Sequence, residues 1–430
     1  MQIALESQNP WWFSRGFETG VERLSQFPEI VRYLDAREIL LLAGARRTGK
    51  STLVYQIIRF LLKRGVPKEA ILSINLDEPL FISMADDPAL LGGIVEDYLA
   101  RHAGLERLYL CIDEVQNYTH WASAVKTFHD TKSNVKCILT GSVSSLLRHE
   151  LSTRLSGRYF SCTIYPLSFP EYLRFQGMTN PTLVEKRQQF AAYLHYGGFP
   201  RVALEPDADL KRQILKSYYE TIYLKDIIFP NRLRNNSDLV DLLYYLISNA
   251  GNALSYHRIA GALHIATETV REYIEYAENA YLLYTLMKYD SSVKKQLANP
   301  KKIYAIDTGL INAVAFTFSE NRGKLLENLV FITLKKQYDA IYYHKDRYEC
   351  DFLVKSGRTI ALAIQVTQSL GDPGTRKREI RGLCEAMDAY GLAEGIIITE
   401  AESEDVVIGG RAIHVVPVYT WLDGRSNVQE

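Results

Sequence analysis

Gly44-Ala45-Arg46-Arg47-Thr48-Gly49-Lys50-Ser51 decides the fold of this chain. The stretch fits G-x-x-x-x-G-K-[ST], a loop that cradles phosphate. Gly44 and Gly49 let the backbone curl until its N–H groups face phosphate oxygens. Lys50 reaches the β- and γ-phosphates, and Ser51 offers a hydroxyl to Mg²⁺. The helix that follows adds its positive N-terminal end. Gly44 to Thr52, with Ala45, Arg46, Arg47 and Thr48 between the glycines, is therefore the candidate nucleotide-binding segment. An apolar run at 38–42 precedes it and reads as a buried strand, and helical spacing follows over 50–62. Further strands are expected at 70–76, 108–112 and 135–139, with helical stretches between them. Alternating strands and helices mean a parallel sheet covered on both faces.

Two strand ends carry chemistry. Residues 108–112 run into Asp113-Glu114. Asp113 would hold Mg²⁺ directly or through water, and Glu114 would orient and polarise the attacking water. Residues 137–139 end in Thr140-Gly141-Ser142, where Ser142 could sense the γ-phosphate or the water; the plainer reading is a strand-to-helix turn. Beyond lie Arg154 and Arg158. Either could stabilise charge on the transferred phosphoryl, in cis or across a subunit boundary. For Arg154 a solvated basic helix face is the simpler account.

Composition narrows the classes. Of 430 residues, 50 are Lys or Arg and 50 are Asp or Glu, so the net charge is zero. This excludes whole-molecule attraction to nucleic acid or an acidic membrane. The five cysteines include no C-x-x-C pair, which favours a reducing cytosol over a disulfide framework. No leader pattern or long apolar run is read, so a cytoplasmic chain with no membrane partner is expected. The nine histidines lack zinc-site spacing.

Downstream, 165–250 is dominated by helical spacing, and 254–288 reads as two helices around a short turn. Ser255 is a plausible N-cap, His264-Ile265 makes the turn, and Ala260 and Val270 would pack the pair together. Such a unit can lay Thr267, Thr269 and Arg271 near a DNA major groove. Glu268, Glu272, Glu275 and Glu278 make that helix acidic, whereas phosphate binding wants Lys and Arg. Strands return at 303–304, 342–343, 352–354, 360–366, 396–398 and 415–419, with a helix at 323–338. The clearest linkers are 289–300 and 371–374.

The phosphate loop, Cys111-Ile112-Asp113-Glu114-Val115-Gln116, Leu139-Thr140-Gly141-Ser142 and Leu155-Ser156-Gly157-Arg158 together resemble the AAA+-related ATPases of archaea and bacteria. In that family a P-loop domain is fused to a C-terminal domain of unknown function with a restriction-endonuclease-like core. Tyr165-Pro166-Leu167-Ser168-Phe169, Tyr196-Gly197-Gly198-Phe199-Pro200 and Asp307-Thr308-Gly309-Leu310 extend the resemblance over nearly the whole chain. It implies an α/β fold: a P-loop ATPase core at 1–163, a helical lid at 164–234, a winged-helix domain at 235–292 and a nuclease-like domain at 293–430. It implies ATP and Mg²⁺ as cofactors, Arg158 as the arginine finger, and a structural turn at Gly197–Gly198. Metal in the nuclease-like domain would fall to Glu327, Asp351 and Gln365. The family pattern has an acid where Gln365 stands and a lysine where Thr367 stands, so a degenerate site is expected. Arg376-Lys377-Arg378 is a candidate phosphate-contacting patch, though a charge run is usually a solvated face. The expected function is Mg²⁺-dependent ATP binding and hydrolysis coupled to DNA binding or remodelling. The alternatives are an ATP-dependent switch acting on a protein partner and an ATP-gated nuclease. A homo-oligomer is required if Arg158 acts in trans.

Overall fold

Ile39-Leu40-Leu41-Leu42-Ala43 contains no polar residue and suits a strand covered on both faces. In the computed structural model it forms β1 (Ile39–Ala43), buried at every position. Residues 1–23, 25–142, 153–233, 236–315 and 322–424 are described. They divide into two units, Met1–Tyr165 with Asn279–Tyr281, and Pro166–Glu278 with Leu282–Glu430.

In the first unit β1 joins β2 (Ile71–Asn75), β3 (Leu108–Asp113), β4 (Val135–Gly141) and β5 (Tyr159–Thr163). All pairings are parallel, in the order β2-β3-β4-β1-β5. Side chains alternate across the sheet. Ile39 and Leu41 pack with Trp121, Val125 and Phe128 of α2 (Trp121–Thr131). Leu40 and Leu42 pack on the other face with Leu53, Ile57 and Leu61 of α1 (Lys50–Lys63). Four of these strands are expected from sequence; β5 is not, because Tyr-Phe-Ser-Cys-Thr carries no aliphatic run and is mostly half-buried. The edge strand β2 is covered by side chains: Asn9 Nδ2 donates to Ser73 O at 2.8 Å, and Ser73 N donates to Asn9 Oδ1 at 2.7 Å.

The second unit opens with helices, including α3 (Leu183–Tyr196), whose Thr182–Glu185 capping box fixes its start. Then come α4 (Ser237–Ser248), α5 (Tyr256–Leu263) and α6 (Thr267–Asn279). The hairpin β6 (Leu283–Met287) with β7 (Lys301–Ala305) follows, pairing residues on either side of position 292. A six-stranded sheet comes last: β8 (Ile341–Lys345), β9 (Glu349–Ser356), β10 (Thr359–Val366), β11 (Glu394–Thr399), β12 (Glu404–Ile408) and β13 (Arg411–Pro417). Its order is β12-β13-β11-β10-β9-β8, with β10, β11 and β13 parallel. It is covered by α8 (Pro373–Tyr390), whose Leu383 and Met387 pack on Leu353 and Ile397, while α7 (Arg322–Gln337) contacts β10 and β7.

Several sequence expectations are corrected here. Within 254–288 the end is strand β6, not helix. The linker read at 289–300 contains a helix, Val293–Ala298. The one read at 371–374 is the start of α8, with the Asp372 side chain capping Thr375 N and Pro373 in the first turn. The strand read at 415–419 stops at Pro417, and Val418–Trp421 is helical. Two distant motifs interlock. Asp307 Oδ2 accepts from Gly198 N at 2.7 Å and Oδ1 from Gly309 N at 2.9 Å. Gly197 has φ +74°, and a Cβ there would stand 1.8 Å from Asp307 Oδ1.

Candidate nucleotide site

Gly44 leaves β1 with φ +147°, and a Cβ on it would lie 2.3 Å from Ile164 O, so only glycine fits. Gly49 turns into α1 with φ +94°, and Arg47 between them has φ +67°. The loop closes on itself: Thr48 Oγ1 donates to Ala45 O at 3.0 Å, and Lys50 Nζ donates to Gly44 O and Ala45 O, both at 3.0 Å. Buried Arg23, which no motif marked, braces it by donating to Thr48 O at 2.8 Å and Tyr165 O at 3.0 Å. Gln56 on α1 donates to Thr19 O at 2.8 Å and accepts from Arg23 N at 3.2 Å. A Cβ on Gly20 would stand 3.2 Å from Thr52 Cγ2, so this N-terminal segment runs beside the start of α1.

β3 and β4 end at the same edge of the sheet. Asp113 is hydrogen-bonded by the hydroxyls of Thr140 and Ser51. Thr140 Oγ1 also accepts from Glu114 N at 3.0 Å, tying the acidic pair to β4. Burial pushes the Asp113 carboxyl up; the Thr140 bond opposes this, the Glu114 charge adds to it, and Ser51 and Lys50 oppose it again. Glu114 breaks from the strand with φ +55°. Its carboxylate meets Gln116 Nε2, and Arg46 Nη1 lies 3.8 Å away. Gln116 Nε2 reaches Ser142 Oγ at 3.2 Å, so Ser142 joins the same polar cluster. Lys50, Ser51, Asp113, Glu114 and Ser142 are thus gathered; Thr140 and Gln116 are the connecting groups that spacing alone did not single out.

Arg158 is placed elsewhere. It precedes β5, whose first residue pairs with Ile39 at the start of β1, while the loop follows the end of β1. Five residues at ~3.3 Å each separate the two ends by about 16 Å. Arg158 Nε donates to Asp130 Oδ1 at 2.9 Å and helps bring that carboxyl down to about 2. Of the two placements left open, cis or trans, the geometry disfavours cis: Arg158 stands at the far end of the sheet from the loop of its own chain. Arg154 bonds Ser123 Oγ.

In the second unit Glu327 on α7 and Asp351 on β9 do converge, with Glu349, but on an ammonium. Lys302 Nζ lies 2.9 Å from Glu327 Oε1, 3.0 Å from Asp351 Oδ1 and 2.7 Å from Glu349 Oε1. Tyr304 OH and Lys324 Nζ also donate to Glu327, each at 2.7 Å. Burial pushes Asp351 up to about 7, with the Glu327 charge adding and Lys302 opposing. Burial pushes Glu349 up too, but Lys302 and Lys345 override it and bring it to about 2. Gln365 is corrected as a metal ligand: its amide donates to Glu379, and its oxygen accepts from Asp351 N at 3.2 Å. Among the described residues no group of three or more His, Cys, Asp or Glu is arranged to hold a metal.

Two of the three residues of the basic patch are in ion pairs, Arg376 with Glu404 and Arg378 with Glu379. On α6, Arg271 lies 5.2 Å over the Tyr256 ring, while Glu268, Glu272 and Glu275 are exposed. Among the described residues no helix is long and apolar enough to cross a membrane.

An uncharacterized protein of Haemophilus influenzae is 30% identical over 411 residues, covering 94% of this chain and 98% of that one. The chain belongs to the same protein family. Within this family member, residues 36–173 match the AAA domain, and 187–321 match a domain of unknown function, DUF8612. An uncharacterized protein of Methanocaldococcus jannaschii is 29% identical over 407 residues, covering 89% of this chain and 88% of its own. Among solved structures, the Walker-type ATPase paby2304 of Pyrococcus abyssi aligns with TM-score 0.44 and 18% identity, over 70% of this chain and 99% of that one.

Proposed function

We propose that the first unit binds and hydrolyses ATP with Mg²⁺. The observation that carries this is the cluster at one sheet edge: Lys50 and Ser51 opening α1, and Asp113, Thr140 and Glu114 bonded together beside them. A hydroxyl and a buried carboxylate that share a hydrogen bond suit a hard cation that takes oxygen ligands. Ser51 and Asp113 would hold Mg²⁺, which supplies positive charge beside the β- and γ-phosphates. The loop amides and Lys50 bind the triphosphate. Glu114, turned out of the strand, orients the attacking water, and Ser142 with Gln116 positions Glu114. Arg158 would act only on a neighbouring subunit's site. In the test, purified protein turns over ATP with Mg²⁺ and Lys50→Ala does not; equal turnover by that variant overturns the reading.

The downstream coupling is a separate proposal. Three helices α4–α6 followed by the hairpin β6–β7 support a winged-helix reading, and Glu327 on a helix with Asp351 on a sheet strand supports a nuclease-like architecture. Lys302 amid the carboxylates argues against cleavage. The exposed acids on α6 favour a protein partner over DNA at that helix. Measuring ATP turnover and gel shifts across a salt series separates the two: DNA stimulation with a steep salt slope supports DNA coupling, and the absence of both supports the protein switch. The free thiols, four of the five buried, suit a reducing cytoplasm.

A further inference from the structure

A cavity of about 380 Å³ opens in the second unit beside the carboxylate cluster. Its wall is formed by the loop 251–253, Lys288 just after β6, the segment 299–302 entering β7, Lys324 of α7, and strands β8 and β9. It carries four lysines, Lys288, Lys302, Lys324 and Lys345, against one carboxylate, Glu349. Behind the wall stand Glu327 and Asp351, so the local sum is four positive against three negative charges, or +1.

The acids here are already satisfied by cations. Lys302 bonds all three, Lys324 bonds Glu327 at 2.7 Å, and Lys345 bonds Glu349 at 3.0 Å. Lys288 meets no carboxylate among the described residues, yet it lines the cavity. A divalent cation entering this space would meet four ammonium groups and find its place held by Lys302. An anion would complete the field. The volume lies at the small end of ligand pockets, about 300–1,000 Å³, which suits a compact charged group. Lysines converging as point charges with mobile donors are the usual partners of phosphate.

We propose that this cavity binds a phosphate-bearing anion, either a free phosphate compound or the terminal phosphate of a nucleic-acid strand. Lys302 of β7 and Lys324 of α7 hold the three acids, which leaves Lys288 and the net positive field of the wall for an anion. An anion held there touches the loop between α4 and α5, the hairpin β6–β7 and the sheet edge at β8–β9. Its binding would therefore clamp those elements together.

The test uses the full chain carrying Lys50→Ala, so that phosphate bound at the loop of the first unit does not contribute. Thermal unfolding and calorimetric titration at low salt are run with inorganic pyrophosphate, a short 5′-phosphorylated oligonucleotide and its 5′-hydroxyl twin. Pyrophosphate is expected to bind and to raise the unfolding midpoint. Adding Lys288→Glu should weaken this at least tenfold, Lys288→Arg should retain it, and neither should move the midpoint without ligand. Preference for the phosphorylated oligonucleotide over its twin and over pyrophosphate assigns the source to strand ends; pyrophosphate binding alone assigns it to free phosphate compounds. The proposal is overturned if no phosphate probe binds in the Lys50→Ala chain, if the two oligonucleotides bind alike without pyrophosphate binding, or if Lys288→Glu leaves affinity unchanged.

Discussion

Lys50 and Lys302 are both buried lysines whose ammonium groups meet oxygen acceptors, and they are fitted for opposite work. Lys50 Nζ rests on two backbone carbonyls at 3.0 Å at the mouth of a glycine loop. Lys302 Nζ is ringed by three carboxylates at 2.7–3.0 Å. A carbonyl is a neutral acceptor that an incoming phosphate can replace at a gain in charge attraction. Three carboxylates are not replaced, because separating them from the ammonium would leave buried charges unpaired. Acceptor charge therefore separates a lysine poised for a ligand from one committed to the fold.

The contrast can be broken by substitution. Lys50→Ala should cost ATP turnover on the order of 10²–10³-fold or more. Lys302→Met should do the reverse, leaving turnover intact and destabilising the chain by about 3–5 kcal/mol in urea unfolding. Combining Lys302→Met with Glu327→Gln and Asp351→Asn should recover most of that loss. If Lys302→Met alone leaves the midpoint unchanged, the ring of carboxylates is not what holds the second unit.

A pH series sharpens the same contrast. Asp351 is raised above its ordinary range by burial, so the fold favours its protonated form. Its stabilising contribution is present below its ordinary value near 4 and is lost as pH rises through about 7. Stability should fall over that window, and Asp351→Asn should flatten the fall; an unaltered slope in the variant contradicts the assignment. The smallest effect is expected from Arg158→Ala. In dilute solution, where single chains dominate, turnover should not change, because Arg158 faces Asp130 at the far end of the sheet. Loss of turnover only where chains associate would place Arg158 on a neighbour's site.

The loop and its strands were legible because each depends on residue types close together in sequence: Gly44, Gly49 and Lys50 within seven positions, and Asp113-Glu114 at the end of an apolar run. What was not legible acts over distance. Arg23 braces Thr48 from 25 residues away and Tyr165 from 142. Lys302 reaches Glu327 across 25 residues and Asp351 across 49, so nothing local marks it as the cation of a cluster. Gln365 was expected to offer a metal its oxygen, but Glu379 on α8 draws its amide away, a contact only the packed sheet and helix create. The strand β6 falls in a stretch whose spacing reads as helical, and its pairing partner β7 lies beyond an intervening helix.

The most direct test of the account is single-turnover ATP hydrolysis by Glu114→Gln beside wild type, at ATP concentrations shown by titration to saturate both. The substitution keeps the shape of the side chain and the backbone bond from Glu114 N to Thr140 Oγ1. The account predicts unchanged ATP affinity with hydrolysis slowed by about 10²-fold or more. Hydrolysis at the wild-type rate would contradict it.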